Sequence, residues 1–156
     1  MKKLTFIRHG ESELNANLVP FNSENIDCLL TQNGIDQAKT LTGAYDLVIL
    51  SDYRRAMLTY CYSKISAKDV IICDLFGEFL LKEDIEDCKN EDLLKIAETE
   101  DEIEARIDAA ITILKNSKAE NICVIAHHNL ILAILINFGI MQQTIGNCQS
   151  IHVDVQ

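Results

Sequence analysis

Short apolar runs of strand length alternate with segments of helical period, and this alternation limits the fold more than any other feature of the chain. Leu4-Thr5-Phe6-Ile7 reads as a buried strand that ends at Arg8, with His9 and Gly10 just beyond it. Tyr45 to Leu50 reads as a second strand, Val70 to Cys73 as a third and shorter one, and Asn121 to Ala126 as a fourth. Cys148 to Val153 has the pattern of a last strand. Between these runs the period changes. Thr31 is placed to cap a helix carrying Ile35, Ala38 and Leu41 on one face. A second helix is expected from Tyr53 to Ile65. Ile103, Ile107, Ile111 and Leu114 recur at about one turn within a region, Ile85 to Asn116, that reads as two helices broken near Glu98 to Glu100. A last helix runs from Asn129, itself a candidate cap, to Phe138, with Gly139 as its C-cap. Glu11 to Asn25 shows polar clusters, Pro20 and no period, and is expected to be a loop with a helical turn. Strands alternating with helices imply an α/β fold: one three-layer α/β/α domain over residues 1–156, with a mostly parallel sheet and helices on both faces.

Composition narrows the function. The net charge of −10 argues against a nucleic acid or an anionic membrane as partner, because both call for basic surface. Half of the acidic residues, 12 of 24, fall between Glu83 and Asp108, where they read as solvated helical faces. The apolar run Leu130 to Ile136 is too short to span a bilayer. Met1-Lys2-Lys3 is followed within a few residues by charged side chains, unlike a signal peptide, so a cytoplasmic location is expected. Six cysteines without a C-x-x-C pair outline neither a disulfide framework nor a zinc site, and Cys73 and Cys123 sit in or beside apolar runs as core residues.

In parallel α/β sheets, ligands gather at the C-terminal ends of the strands. Four segments deliver polar groups to that edge: Arg8-His9 after the first strand, Arg54-Arg55 after the second, Glu78 after the third, and His127-His128 after the fourth. Three of the chain's four arginines are among them. A phosphoryl group needs cations around its oxygens, a nucleophile in line with the leaving oxygen, and an acid to protonate that oxygen. Arg8, His9, Arg55, Glu78 and His127 supply that set. No H-x-x-x-H or H-x-H spacing marks a metal centre, and no cofactor is called for.

Four stretches, in order, carry a resemblance to the histidine phosphatase superfamily, whose fold is that of phosphoglycerate mutase. Arg8-His9-Gly10-Glu11-Ser12-Glu13-Leu14-Asn15 resembles R-H-G-x-S-x-x-N, and Leu30 to Ala38 resembles L-T-x-x-G-x-x-Q-A. Ser51 to Thr59 resembles S-P-L-x-R-A-x-Q-T, and Val124 to Ile131 resembles V-x-S-H-G-x-x-I. The resemblance implies a phosphatase in which His9 becomes a phosphohistidine that water cleaves. Arg8, Arg55 and His127 would hold the phosphate, Asn15 would be a further polar neighbour, and Glu78 would be the proton donor. Ser12, more a structural hydrogen bonder than a nucleophile, and His128 are further candidates at the substrate site. A small phosphorylated molecule or a phosphorylated protein side chain is the expected partner; the oligomeric state is left open.

The departures from the pattern are specific. Asp52-Tyr53 replaces Pro-Leu, Leu58 replaces Gln, and Ala126 replaces Ser. His128 stands where Gly is common, and would be strained if the position required a positive φ. Phe76-Gly77-Glu78 resembles the L-x-E segment without the glycine that follows it, so Glu83 is kept as the reserve acid. Arg54, one position before the motif arginine, is expected at the surface or against substrate. Three other classes remain beside the phosphatase. One is a mutase, disfavoured because only 49 positions separate Glu78 from His127 and leave little chain for a lid. The others are a metal-dependent hydrolase on His9, His127 and His128, and a non-catalytic phosphate- or protein-binding module.

Overall fold

The computed structural model describes residues 1–86 and 90–156; Asp87, within the acidic stretch, and Cys88 lie outside the described residues. Among the described residues the elements run β1 (Lys2–Arg8), α1 (Gln32–Lys39), β2 (Thr42–Leu50), α2 (Arg54–Tyr62), β3 (Lys64–Ile72), α3 (Lys82–Ile85), α4 (Glu91–Ile96), α5 (Glu100–Asn116), β4 (Asn121–Ala126), α6 (His128–Asn137) and β5 (Ser150–Val155). The strands form a sheet ordered β3-β2-β4-β1-β5, parallel throughout except for β5, which joins antiparallel to β1 at the edge.

The sheet is covered on both faces, as the apolar run Ile122 to Ala126 of β4 requires, and Leu4 to Ile7 of β1 is buried with it, Thr5 included. Alternate residues point to opposite sides. Leu4, Phe6, Ile49, Ile122 and Val124 pack with Ile103, Ile107 and Leu114 of α5 and with Leu130, Ile131, Ile134 and Leu135 of α6. Ile7, Val48, Leu50, Cys123 and Ile125 pack on the other side with Leu41 and with Ala56 of α2. Each fully buried aliphatic or aromatic side chain contributes about 1.5–3 kcal/mol, so the two central strands anchor the fold. Helix α5 is set by a capping box: the Thr99 hydroxyl accepts from the Glu102 N–H, and the Glu102 carboxylate accepts from the Thr99 N–H. Glu100, Asp101 and Glu102 in its first turn and Lys115 in its last complement the helix dipole.

Several boundaries differ from the sequence expectation. Helix α2 stops at Tyr62, and β3 begins at Lys64, far ahead of Val70. The reason is position: β3 is an edge strand, exposed along most of its length, so Lys64, Lys68 and Asp69 interrupt any apolar run. Strand β2 likewise starts at Thr42 rather than Tyr45, and β5 is shifted to 150–155. A short helix, α3, precedes the two expected between 85 and 116. Asn129 does not cap α6. His127 holds the N-cap position without a side-chain cap bond, and the Glu78 carboxylate accepts from the Asn129 and Leu130 N–H groups at 3.1 Å each. Gly139, at φ +75°, follows the end of α6 and lets the chain turn away. The cysteines at 28, 61, 73, 123 and 148 are free thiols. None of the described helices is long and apolar enough to cross a membrane.

Candidate active site

Register decides where the site lies. Arg8 pairs with Ala126 and Leu50 with Ile125, so the next residues, His9, Ser51 and His127, leave three neighbouring parallel strands at one edge. The His9 N–H still donates to the Ala126 carbonyl at 3.0 Å, and the Ser51 N–H to the Ile125 carbonyl at 3.1 Å. A cavity of about 290 Å³ opens there, lined by Arg8, His9, Ser12, Asn15, Arg55, Glu78 and His128 together with Leu14, Asn17, Val19 and Phe21.

The loop that carries His9 is clamped from behind by the second motif. The Thr31 hydroxyl caps α1 through the Gly34 N–H and donates to the Glu11 carboxylate at 2.7 Å, while the Gln37 side-chain oxygen accepts from the Glu11 N–H at 2.9 Å. Glycine is required at two places. A Cβ on Gly10 would stand 2.6 Å from the Gly34 carbonyl oxygen, and one on Gly34 would collide with the Glu11 backbone. Thr59 adds a tie from α2: its hydroxyl accepts from the Gly10 N–H at 2.9 Å and donates to the Arg55 carbonyl at 2.7 Å.

His9 is buried, and its Nδ1 lies 2.7 Å from its neighbour's carbonyl oxygen, Gly10 O. A carbonyl only accepts, so Nδ1 carries the hydrogen and Nε2 keeps its lone pair. The Arg55 Nε donates toward that Nε2 at 3.3 Å. Burial first, then the Arg55 charge, push the His9 pKa down to about 3, which leaves a neutral imidazole at physiological pH. Arg55 is fixed on three sides: by His9, by the Ile26 carbonyl at 2.6 Å, and by the Tyr53 ring, 4.6 Å from the guanidinium carbon to the ring centroid. Arg8 donates through Nη1 to the Ile145 carbonyl at 2.7 Å, and its buried Nε has no protein partner.

His127 sits against His9, with ring centroids 5.1 Å apart, but it is fully buried and is not among the side chains lining the cavity. Its Nε2 shares a 2.7 Å hydrogen bond with the Ser51 hydroxyl, its Nδ1 is buried without a partner, and burial pushes its pKa well below the usual histidine range. Glu78 lies half-buried on the cavity wall. Burial raises its pKa, against the opposing effect of three backbone N–H donors at Phe79, Asn129 and Leu130. Glu83 is exposed on α3 and is not among the residues lining the cavity.

Ser12 and Asn15 bond to each other: the Ser12 N–H donates to the Asn15 side-chain oxygen and the Asn15 N–H to the Ser12 hydroxyl. His128 stands at the cavity rim as the first residue of α6, so it needs no positive φ and is unstrained. Arg54 turns outward to Asp27 and takes no part in the cavity wall.

Four residues escaped the sequence reading. Tyr53 stacks on Arg55 and meets the His127 ring edge-on at 5.1 Å, which accounts for the aromatic residue in place of leucine. Arg106, on α5, makes a two-pronged bond to Glu98 at 2.7 Å per prong and donates to the Leu75 and Gly77 carbonyls, so it holds the segment that carries Glu78. The Asn147 side chain donates to the His9 carbonyl and to Asn15, and the Cys148 N–H donates to the Arg8 carbonyl. Only the Tyr-for-Leu substitution carried a sequence signal. Among the described residues, no three His, Cys, Asp or Glu side chains converge as metal ligands.

No curated protein matches the sequence at a significant level. Solved structures do match in fold. A protein of Escherichia coli K-12 assigned as an alpha-ribazole-5′-P phosphatase superimposes with a TM-score of 0.75 at 20% identity, over 100% of this chain and 92% of its own. The phosphoserine phosphatase of Entamoeba histolytica, solved with 3-phosphoglyceric acid, gives 0.68 at 23% identity, over 97% and 90%. The phosphoglycerate mutase of Thermus thermophilus gives 0.66 at 22% identity, over 97% and 92%. At such identities the likeness is one of fold. The sequence itself matches the family model of the histidine phosphatase superfamily (branch 1) over residues 4–83, just over half of the chain. With the mostly parallel sheet and the phosphoglycerate mutase-like fold in place, the chain belongs to the histidine phosphatase superfamily, branch 1.

Proposed function

We propose that the protein is a phosphomonoester hydrolase that passes the phosphoryl group through His9. The observation that carries this reading is the state of the His9 ring: Nδ1–H is spent on the Gly10 carbonyl, and the unprotonated Nε2 accepts a long 3.3 Å bond from the Arg55 Nε, which a phosphate drawing Arg55 to itself would release, in a cavity also lined by Arg8 and Glu78. Arg8 and Arg55, both on the cavity wall, neutralise the phosphate oxygens. His127, neutral and packed against the His9 ring, is assigned a phosphate oxygen once the group is seated on His9. Asn15 lines the same cavity, while Ser12 braces Asn15.

In the first step the Nε2 electron pair forms a bond to phosphorus as the bond to the ester oxygen breaks. Protonated Glu78 gives its proton to that departing oxygen, which leaves as the alcohol. The positive charge that develops on the ring is met by the Gly10 carbonyl at Nδ1–H. In the second step the Glu78 carboxylate takes a proton from water, the oxygen of that water bonds to phosphorus, and Nε2 departs with its electron pair. Inorganic phosphate, neutral His9 and protonated Glu78 remain, as at the start. The rise in the Glu78 pKa caused by burial enlarges the protonated fraction needed for the first step.

The test is a comparison of phosphate release from a panel of phosphomonoesters with isomerisation of phosphoglycerate, with and without chelator. Phosphate release that is blocked by vanadate and indifferent to chelator supports the reading. Efficient isomerisation without release favours a mutase, and activity lost to chelator and restored by metal favours a metal-dependent hydrolase.

A further inference from the structure

The cavity wall continues past Arg55 and Glu78 into a second space, also of about 290 Å³, which shares Leu14, Phe21, Arg55 and Glu78 with the first. Its character is different. Ile26, Tyr53, Phe79, Leu80 and Ile96 complete it, with Asn129 as a polar member. These side chains come from the turns after β1, the start of α2, the segment after Glu78, and α4. Phe21 and Ile96 remain 52% and 46% exposed, so apolar surface from two separate segments faces one space.

We propose that this annex receives the alcohol portion of the substrate, and that the substrate is a phosphomonoester of an apolar, uncharged alcohol. The inference rests on the hydrolase reading above. Continuity supplies the first argument. Glu78, the group assigned to protonate the departing oxygen, lies on the wall common to both spaces, so the carbon skeleton attached to that oxygen extends into the annex. The second argument is charge. Among the described residues, Arg8 and Arg55 are the only lysines or arginines on either wall, and Arg54 is turned outward to Asp27. A phosphate seated on Arg8 and Arg55 leaves no cation for a second anionic group, such as the carboxylate of a phosphoglycerate. In the annex such a group would lose water and find only the neutral Asn129 side chain in place of a further lysine or arginine. An alkyl or aryl group loses nothing there and gains from burial.

The n-alkylphosphonates test the annex without chemistry, because their carbon–phosphorus bond survives. Calorimetric titration of the wild type with the ethyl, butyl and hexyl members reads binding; phosphate release from the matching n-alkyl phosphates, whose departing oxygens are alike, reads turnover. One fully buried methylene is worth at most about fourfold in affinity. The expected result is a fall in Kd of about tenfold or more from ethyl to hexyl, a parallel rise in kcat/KM, and a much smaller increment in F21S and in I96N. A Kd that does not depend on chain length would overturn the annex, as would 3-phosphoglycerate binding more tightly than hexylphosphonate. Phosphate release with a flat alkyl series would retain the hydrolase and remove the apolar substrate. Chain-length-dependent binding with no release from any ester would remove the hydrolase, and the substrate claim with it.

Discussion

Replacing His9 with asparagine should make the protein less sensitive to acid, and the size of the effect follows from the burial of the ring. Burial, then the Arg55 charge, push the folded-state pKa of His9 to about 3. In the unfolded chain the same ring takes up a proton at about pH 6.5. Below that pH the unfolded state binds a proton that the folded state refuses, so the contribution of His9 to stability is whole above about 6.5 and is lost progressively toward about 3. Between pH 8 and pH 5 the loss from His9 alone comes to about 2 kcal/mol, at 1.36 kcal/mol per unit of pKa difference exposed. Glu78 also titrates anomalously but is common to both proteins, whereas the His127 ring packs against His9 and its titration is coupled to it, so the same comparison is repeated on an H127N background to remove that coupling. Urea unfolding of both proteins at the two pH values measures the loss. The wild type should lose about 2 kcal/mol more than H9N on going from pH 8 to pH 5. Equal losses would mean that the folded protein accepts a proton on His9 as readily as the unfolded chain does, and the neutral-nucleophile argument would fail.

E78Q should lower kcat on alkyl esters by about 10²- to 10⁴-fold, and less on p-nitrophenyl phosphate, whose leaving oxygen needs no proton. The alkaline limb of the rate profile, where Glu78 loses its proton, should disappear in the same variant, while E83Q should leave the rate unchanged. R106A removes the two-pronged bond to Glu98, side chains only 15% and 25% exposed, and both carbonyl bonds under the Glu78 segment. It should destabilise the fold by roughly 3 kcal/mol, seen as a melting midpoint lowered by roughly 10 °C, and R106K should recover little because lysine cannot reproduce the fork. G34A places a methyl group against the Glu11 backbone and should cost about 1–3 kcal/mol by chemical denaturation, with loss of phosphate release. An unchanged denaturation midpoint in G34A would show that the loop behind His9 is not clamped in the way described.

What could be read from the sequence depended on burial. Asn121 to Ala126 is an interior strand with both faces covered, and its apolar run coincides with β4 from end to end. β3 lies at the sheet edge, where solvent tolerates Lys64, Lys68 and Asp69, and no run marked its first half. The cluster of Arg8, His9, Arg55 and Glu78 was legible because each ends or follows a parallel strand, and parallel strands present their C-terminal ends together. Depth was not legible. His127 lies beneath His9 rather than on the cavity wall, a distinction set by the pleat and the strand register. Arg106 was hidden for another reason. It acts on the backbone carbonyls of Leu75 and Gly77, and carbonyls leave no trace in residue identity. The same holds for Cys148, whose backbone N–H reaches Arg8 from a left-handed conformation at φ +56°.

Covalent capture of the phosphoryl group on His9 decides whether this ring is the nucleophile. Wild-type protein mixed with an n-alkyl phosphate is quenched in alkali within milliseconds, digested, and read by mass spectrometry, with H9N and E78Q treated alike. A phosphoryl group is expected on the peptide containing His9, absent from H9N and longer-lived in E78Q when p-nitrophenyl phosphate supplies the group. Turnover by the wild type with no phosphate on that peptide, or with equal labelling in H9N, would contradict it.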